Sequence, residues 1–279
     1  MVNDGPPGRP LRRVGFPLSL EQATGRHTPS PPLGEPIATP SPRWHHPEDS
    51  LEASMRMRMV DQLRAIKSFD ERILAVMARV ERHRFIDTAL ASQAYVDTSL
   101  PIGLGQTISK PSIIARMLSL LCQRPGMNAW GVPSARPLGK VLEIGTGCGY
   151  QATLLAELSR EVYSVERLKL LFDRARDAMA PIRAANLRLI YADGCWGHPP
   201  NAPYDGIVAA AACHGGVPLA WIEQLAPGGR LVAPVYIPNQ DRQILWMVDR
   251  LADHTLQECG LEDVHFVPLE SGICDSGLS

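Results

Sequence analysis

The sequence predicts an α/β fold built on a doubly wound, mostly parallel sheet with helices on both faces. Short β-branched runs alternate with helical patterns from Lys140 onward, which is typical of strands joined by crossover helices. One predicted strand runs directly into a glycine-rich turn at Gly145. With 279 residues and 45% apolar composition, the chain can bury one substantial core but is short for two. We therefore expect one main domain with additions.

Charge and cysteine content exclude several classes of partner. The formal net charge is -1 and the pI is ≈ 6.7, so the whole chain has no general attraction to nucleic acid or to an anionic membrane surface. The start of the chain lacks the apolar core of a signal peptide, and no later stretch has the length of a membrane span. The 6 cysteines form no CxxC pair and predict no metal site. We expect a cytoplasmic monomer.

The first 50 residues are predicted to be a disordered extension. Residues 1–50 are crowded with Pro, Gly, Ser and Thr and are poor in periodic apolar residues, so burial cannot offset the entropy of ordering. His45 and His46 have no accompanying ligand cluster and are interpreted as solvated. The single domain is expected to span 51–270, followed by a tail over 271–279.

Helices and a loop are expected ahead of the sheet, within 51–122. The runs MRMVDQLRAI and DERILAVMARV have apolar residues at helical spacing, separated by a KSF break. Glycines punctuate the segment from Ser99 to Lys110, which predicts a loop, and Pro111 then opens a third helix. A Pro/Gly-rich connection over 124–139 leads into the sheet.

The predicted sheet occupies 140–270. Its strands and helices alternate in the order KVLEI, YQATLLAELS, EVYSVE, LKLLFDRARDAMA, LRLIYA and DGIVAAA. After GGRLVAPV, the runs RQILWMVDR and DVHFVPL are predicted to be closing strands, one of them antiparallel.

The glycine-rich turn indicates a nucleotide-like ligand. Gly145, Gly147 and Gly149 allow a tight turn and a close approach of backbone to ligand. A dinucleotide-binding GxGxxG pattern would need glycine or alanine where this chain has Tyr150. The GxGxG form favours S-adenosyl-L-methionine (AdoMet) and a Rossmann-like AdoMet-binding sheet, although a purely structural turn remains an alternative.

Acidic residues follow the next two predicted strands. Glu166 can accept hydrogen bonds from both ribose hydroxyls, or it is a surface carboxylate. Asp193 can face the adenine amino group, or it forms an Asp-Gly turn with Gly194. Ligands of open parallel sheets bind at the carboxyl ends of the strands, where residues 210–213 are also expected. Asp205 precedes its strand and is interpreted as structural.

Several segments between about His83 and Leu269 follow the pattern of one known family. They are HRFID at 83–87, AYVDTSLPIGLGQTISKP at 94–111, VLEIGTGCGYQATLLAEL at 141–158, VYSVER at 162–167, DG at 193–194, PGGRLVAPV at 227–235 and FVPL at 266–269. Through these segments the sequence closely resembles the protein-L-isoaspartate (D-aspartate) O-methyltransferase family. Other AdoMet methyltransferases share the glycine loop, whereas GQTIS is peculiar to this family.

The resemblance implies an AdoMet-dependent protein carboxyl O-methyltransferase. It would methylate the α-carboxylate of L-isoaspartyl and D-aspartyl residues in damaged proteins, releasing S-adenosyl-L-homocysteine and starting their repair. The family fold has a reordered C-terminal strand pair. Ser109 matches the active-site serine, with Thr107 and Ile108 beside it in the substrate loop; alternatively, Ser109 caps the following helix. The predicted cofactor-binding residues are Glu143, Gly145, Thr146, Gly147, Gly149, Glu166, Asp193 and Gly194.

The sequence departs from the family pattern at Cys148, Val96 and Lys110, none of which removes a group that the chemistry needs. Three other functions are open. The first is a methyltransferase of the same fold with another acceptor, and the second is a non-catalytic AdoMet-binding protein that docks through its Pro-rich extension. The third, a nicotinamide-dependent dehydrogenase, is disfavoured by Tyr150.

Overall fold

A computed structural model of the chain describes residues 50–124 and 136–275. The predicted disordered extension, with His45 and His46, lies outside the described residues except for Ser50. Residues 125–135 of the predicted connection and 276–279 of the predicted tail also lie outside them.

Helices and strands follow one another in the predicted alternation. The helices are α1 (Leu51–Ala65), α2 (Glu71–Arg79), α3 (Pro111–Cys122), α4 (Tyr150–Leu158), α5 (Lys169–Met179) and α6 (Leu219–Glu223). The strands are β1 (Leu100–Gly103), β2 (Gln106–Ile108), β3 (Leu138–Ile144), β4 (Ser159–Glu166), β5 (Leu187–Tyr191), β6 (Tyr204–Ala209), β7 (Cys213–His214), β8 (Leu225–Ile237), β9 (Arg242–Arg250) and β10 (Leu256–Val264).

The first two helices begin at side-chain caps. The Ser50 side chain accepts a hydrogen bond from the Ala53 N–H at the start of α1, and the Asp70 side chain accepts one from Arg72 at the start of α2. Such caps satisfy backbone donors that have no partner inside a helix. The two helices predicted ahead of the sheet are confirmed.

The segment predicted as a loop between Ser99 and Lys110 contains a β-hairpin, so that prediction was wrong. Strands β1 and β2 pair antiparallel, with Leu100 opposite Ile108. Gly103, Leu104 and Gly105 all adopt positive φ in the turn between them. The glycines that suggested a loop are the residues that let the chain reverse over so short a distance.

The main sheet has the order β10-β9-β8-β6-β3-β4-β5. Neighbours from β5 to β8 run parallel, whereas β9 and β10 add antiparallel in chain order. Alternate residues of a strand face opposite sides of the sheet: Val141 belongs to the apolar cluster that contains α1 to α5, and Leu142 to the cluster that contains Trp221 of α6. The predicted mostly parallel sheet with helices on both faces is confirmed.

The last strand lies earlier than the sequence predicts. The run DVHFVPL was expected to form it, but β10 ends at Val264. Its edge position leaves most of its residues exposed, and the register shifts between Gly260 and Asp263, so no regular apolar alternation marks it. Pro268 instead forms an isolated bridge with Ala212, just beyond the carboxyl end of β6. None of the helices in the described residues has the length and apolarity needed to cross a bilayer.

Candidate active site

A cleft opens where the carboxyl ends of the parallel strands face the β1–β2 hairpin. The predicted site residues that line it are Thr107, Ile108, Ser109, Gly145, Thr146, Gly147, Glu166 and Gly194. Glu143, Gly149 and Asp193 do not line it. The hairpin and the glycine-rich loop are far apart in sequence, and the fold brings them to two sides of one cavity.

The glycine-rich loop turns through backbone conformations that other residues rarely adopt. Gly147 has φ +56°, and a Cβ there would lie 3.2 Å from Ile102 Cδ1 on the hairpin side. Gly149 has φ +91°, and its Cβ would lie 2.9 Å from the sulfur of Met179. Gly147 therefore keeps the cleft open for a ligand, whereas Gly149 allows α4 to pack closely against α5.

Glu166 ties the glycine-rich loop to the end of β4. Its carboxylate is buried and accepts hydrogen bonds from the backbone N–H of Gly147 and of Leu168, each at 2.9 Å. Burial raises the pKa of this carboxyl, against the lowering effect of these backbone donors. Because each carboxylate oxygen can accept more than one hydrogen bond, Glu166 retains acceptor capacity for a ligand in the cleft.

Glu143 lies beneath the loop rather than in the cleft. It is fully buried, and its carboxylate accepts a hydrogen bond of 2.5 Å from the Ser164 hydroxyl, which in turn lies 2.6 Å from that of Thr146. Burial raises the pKa of Glu143 to about 8, although the Ser164 hydrogen bond acts in the opposite direction. The chain of polar contacts supports Thr146 from below.

Asp193 does not line the cleft; its carboxylate accepts hydrogen bonds from backbone N–H groups. One carboxylate oxygen accepts from the Cys195 N–H at 2.8 Å, and the other from the Gly272 N–H at 2.7 Å. Burial raises the pKa of Asp193, but these hydrogen bonds outweigh it and hold the pKa below its ordinary value. The Asp-Gly turn is therefore present, and Gly194 is the member of the pair that lines the cleft.

The C-terminal segment contributes a wall that the sequence reasoning missed. Residues 267–270 line the cleft. Ala212 donates its N–H to the Val267 carbonyl and accepts from the Leu269 N–H, both at 2.8 Å. Farther on, Cys274 forms a bridge with Leu168 beside Glu166. The FVPL run is the sequence signal for this wall, although its pattern predicts a strand and β10 ends at Val264.

Ser109 faces the cleft from the hairpin side and does not cap α3. The N-cap residue of α3 is Lys110, which makes no side-chain capping bond. The Asp97 carboxylate instead accepts from the Ser112 N–H at 2.7 Å. Within residues 50–124 and 136–275, the Ser109 hydroxyl makes no hydrogen bond, so it is available to a ligand.

The other side chains of the loop do not supply a reactive nucleophile. Burial raises the pKa of the Cys148 thiol to about 11, so the thiol stays protonated at neutral pH. The cleft therefore combines a glycine-rich backbone surface, a buried carboxylate and the hydroxyls of Thr107 and Ser109 on the hairpin side. This combination suits the binding and alignment of two substrates rather than covalent catalysis by the protein.

Comparison with known proteins agrees with this geometry. The family model described as "Protein-L-isoaspartate(D-aspartate) O-methyltransferase (PCMT)" matches residues 54–273. The protein-L-isoaspartate O-methyltransferase of Leptothrix cholodnii is 49% identical over 96% of this chain and 97% of its own length. That of Methylibium petroleiphilum is 51% identical over 92% of this chain and 96% of its own.

Two solved structures share the fold. One is from Plasmodium falciparum, is named as a protein-L-isoaspartate O-methyltransferase and was crystallised with S-adenosyl-L-homocysteine; it has a TM-score of 0.64 and 21% identity over 77% of this chain and 98% of its own. A second protein-L-isoaspartate O-methyltransferase has a TM-score of 0.66 and 24% identity over 77% of this chain and 66% of its own.

Proposed function

The chain belongs to the protein-L-isoaspartate (D-aspartate) O-methyltransferase family, and from this premise we propose how its cleft performs the reaction. The protein is an AdoMet-dependent enzyme that methylates the α-carboxylate of L-isoaspartyl residues in proteins and so begins their repair. The observation that carries the proposal is the meeting of the glycine-rich loop and Ser109 across one cleft.

The residues of the cleft fit AdoMet. Gly147 leaves the space that a Cβ would fill, and the Glu166 carboxylate, with acceptor capacity remaining, suits a ribose diol. Gly145, Thr146 and Gly194 complete the proposed contacts, and Asp193 acts through the turn that presents Gly194. When bound there, AdoMet supplies an electrophilic methyl group on a sulfonium.

The acceptor needs orientation rather than deprotonation. A carboxyl group exposed to water has a pKa of about 4 and is ionised at neutral pH, so the reaction does not require a general base beside Ser109. Holding the two reactants in line can contribute roughly 7–11 kcal/mol toward lowering the barrier. The Ser109 hydroxyl or an adjacent backbone N–H orients the carboxylate, while the hairpin and the segment 267–270 limit the access of water.

We propose that the polypeptide substrate reaches Ser109 from an open groove between residues 97–99, the start of α3 and residues 263–266. This groove is lined by Ser109, Lys110, Ile113 and Phe266 among others. Ser109 therefore lines both cavities. A side chain inserted from the groove would meet the cofactor cleft at that residue, which explains how an isoaspartyl group within a longer polypeptide can be methylated.

We also propose that the enzyme acts as a cytoplasmic monomer on damaged proteins, without nucleic acid or membrane. All six cysteines are free thiols, which is typical of a reducing compartment. The near-neutral net charge of -1 gives no general attraction to polyanions.

The proposal is tested with two peptides that differ only in having L-isoaspartate or L-aspartate at one position. Incubated with methyl-labelled AdoMet, the enzyme should place base-labile label in the isoaspartyl peptide alone. Ser109→Ala should lower kcat/KM for this peptide by about 10- to 100-fold, the loss of one hydrogen bond to a charged group, and leave the Kd for S-adenosyl-L-homocysteine within about twofold.

Ser112→Ala is the matched control, since this residue lies one turn along and lines neither cavity; it should retain full activity. Label in neither peptide, with cofactor binding intact, would refute the proposed acceptor. Unchanged turnover by Ser109→Ala would refute the role of the hydroxyl.

A further inference from the structure

Arg82 is a fully buried arginine that the mechanism so far does not use. It lies in the turn between α2 and the hairpin and has 0% of its surface exposed. Among residues 50–124 and 136–275 no carboxylate forms an ion pair with it. Burying a charge without a counter-charge costs free energy of folding. The position of Arg82 must therefore require contacts that only a guanidinium can make.

The guanidinium makes directed contacts with both sides of the site. Its Nη2 donates to the carbonyl of Ser109 at 2.8 Å, and its Nε donates to the carbonyl of Ala94 at 2.8 Å. Its central carbon lies 5.1 Å from the ring centroid of Tyr150, within the range of a cation–π interaction. Nη1 has no hydrogen-bond partner among the described residues.

These contacts join the acceptor side to the donor side. Ser109 presents the hydroxyl that faces the acceptor carboxylate, and Tyr150 is the first residue of α4, directly after Gly149 of the glycine-rich loop. A planar guanidinium holds its donors in a rigid fork, so the Ser109 backbone cannot shift without breaking a bond in a buried site. The distance between the two loops is thus constrained through one side chain.

We propose that Arg82 is a positioning residue for methyl transfer, which holds Ser109 at a fixed distance from the glycine-rich loop. The inference rests on the proposed function of Ser109. A displacement of about 1 Å between reacting groups can lower the rate by about 100-fold. The role of Arg82 is therefore expected in turnover rather than in cofactor binding, because Arg82 does not line the cleft.

The test uses Arg82→Lys and Arg82→Met in the full chain, with Arg56→Lys as the matched control. Lysine keeps a charge and a donor for the Ser109 carbonyl but lacks the fork that also serves Ala94, and methionine removes every donor. Arg56 is also buried, at 4% exposure, and donates to the Ala78 carbonyl at 2.7 Å. It differs from Arg82 in lying 3.9 Å from the Glu81 carboxylate and in making no hydrogen bond to Ser109.

We expect kcat on the isoaspartyl peptide to fall about 10- to 100-fold in Arg82→Lys and further in Arg82→Met. The KM for AdoMet and the Kd for S-adenosyl-L-homocysteine should stay within about twofold, and Arg56→Lys should retain a kcat within about twofold of the wild type. This ordering, with kcat moving and cofactor affinity constant, is not expected of a residue that only supports the fold.

Three results would overturn the inference. The first is a folded Arg82→Lys protein whose kcat is within twofold of the wild type. The second is an equal loss in Arg56→Lys, which would indicate a general effect of buried arginines. The third is failure of both Arg82 variants to fold, which would assign Arg82 to stability. A wild-type protein that methylates no isoaspartyl peptide would instead refute the proposed function, and this inference with it.

Discussion

Replacing Glu166 with glutamine should weaken cofactor binding and loosen the glycine-rich loop together. Glutamine has nearly the same volume, so packing in this buried position is retained. One of the two oxygens that now accept from Gly147 and Leu168 becomes an NH₂ group, which faces a backbone donor instead of accepting from it. The same change removes one acceptor for the ribose diol.

The expected sizes of both effects, on cofactor affinity and on stability, follow from the number of hydrogen bonds lost. A hydrogen bond to a charged group contributes about 1.5–3 kcal/mol, so the loss of one ribose contact should raise the Kd for S-adenosyl-L-homocysteine by about 10- to 150-fold. The loss of one backbone contact should lower the unfolding free energy by about 2 kcal/mol. For a domain of this size, that corresponds to a decrease in Tm of about 4–8 °C.

Titration calorimetry and thermal melts without ligand measure the two effects separately. Glu161→Gln is the control, because Glu161 lies in the same strand, β4, and outside the cleft; its Kd should match the wild type. If Glu166→Gln binds S-adenosyl-L-homocysteine within twofold of the wild-type affinity, the assignment of Glu166 to the ribose is wrong.

Two further predictions concern the support of the loop. Burial raises the pKa of Glu143 from 4.5 to about 8, so the folded protein keeps a proton that the unfolded chain has released. This contribution to stability is present at low pH and is lost as the pH rises from 4.5 to about 8. Glu143→Gln should therefore flatten the pH dependence of the unfolding free energy over this window in urea titrations, and an unchanged slope would contradict the assignment. Gly149→Ala should lower the unfolding free energy by about 1–3 kcal/mol through strain at φ +91° and contact with Met179. Gly215→Ala, at φ +81° with no atom within 4 Å of its Cβ, should cost less in the same measurement, and an equal loss would show that contact with Met179 is unimportant.

The sequence by itself determined the fold class and the position of the glycine-rich turn and of Glu166 at the carboxyl ends of neighbouring strands. The strand before Gly145, the GxGxG turn and the acid at Glu166 are local patterns, because a tight turn and a strand-end carboxylate each depend on residues that are neighbours in the chain. The resemblance through GQTIS indicated the acceptor loop. It could not indicate that this segment is a hairpin, since the pairing of Leu100 with Ile108 depends on the geometry of the turn.

Only the tertiary structure decided which residues share the cleft and which support it from behind. The sequence predicts cofactor contacts for Glu143 and Asp193. The fold buries the first beneath the loop and engages the second with the Gly272 N–H, and neither lines the cleft. The contacts between Arg82 and Ser109 cross 27 positions in the chain, and no local pattern encodes such a distance. Burial and long-range hydrogen bonds arise only when separate segments pack together. Periodicity and spacing in the sequence therefore do not identify the residues that act through them.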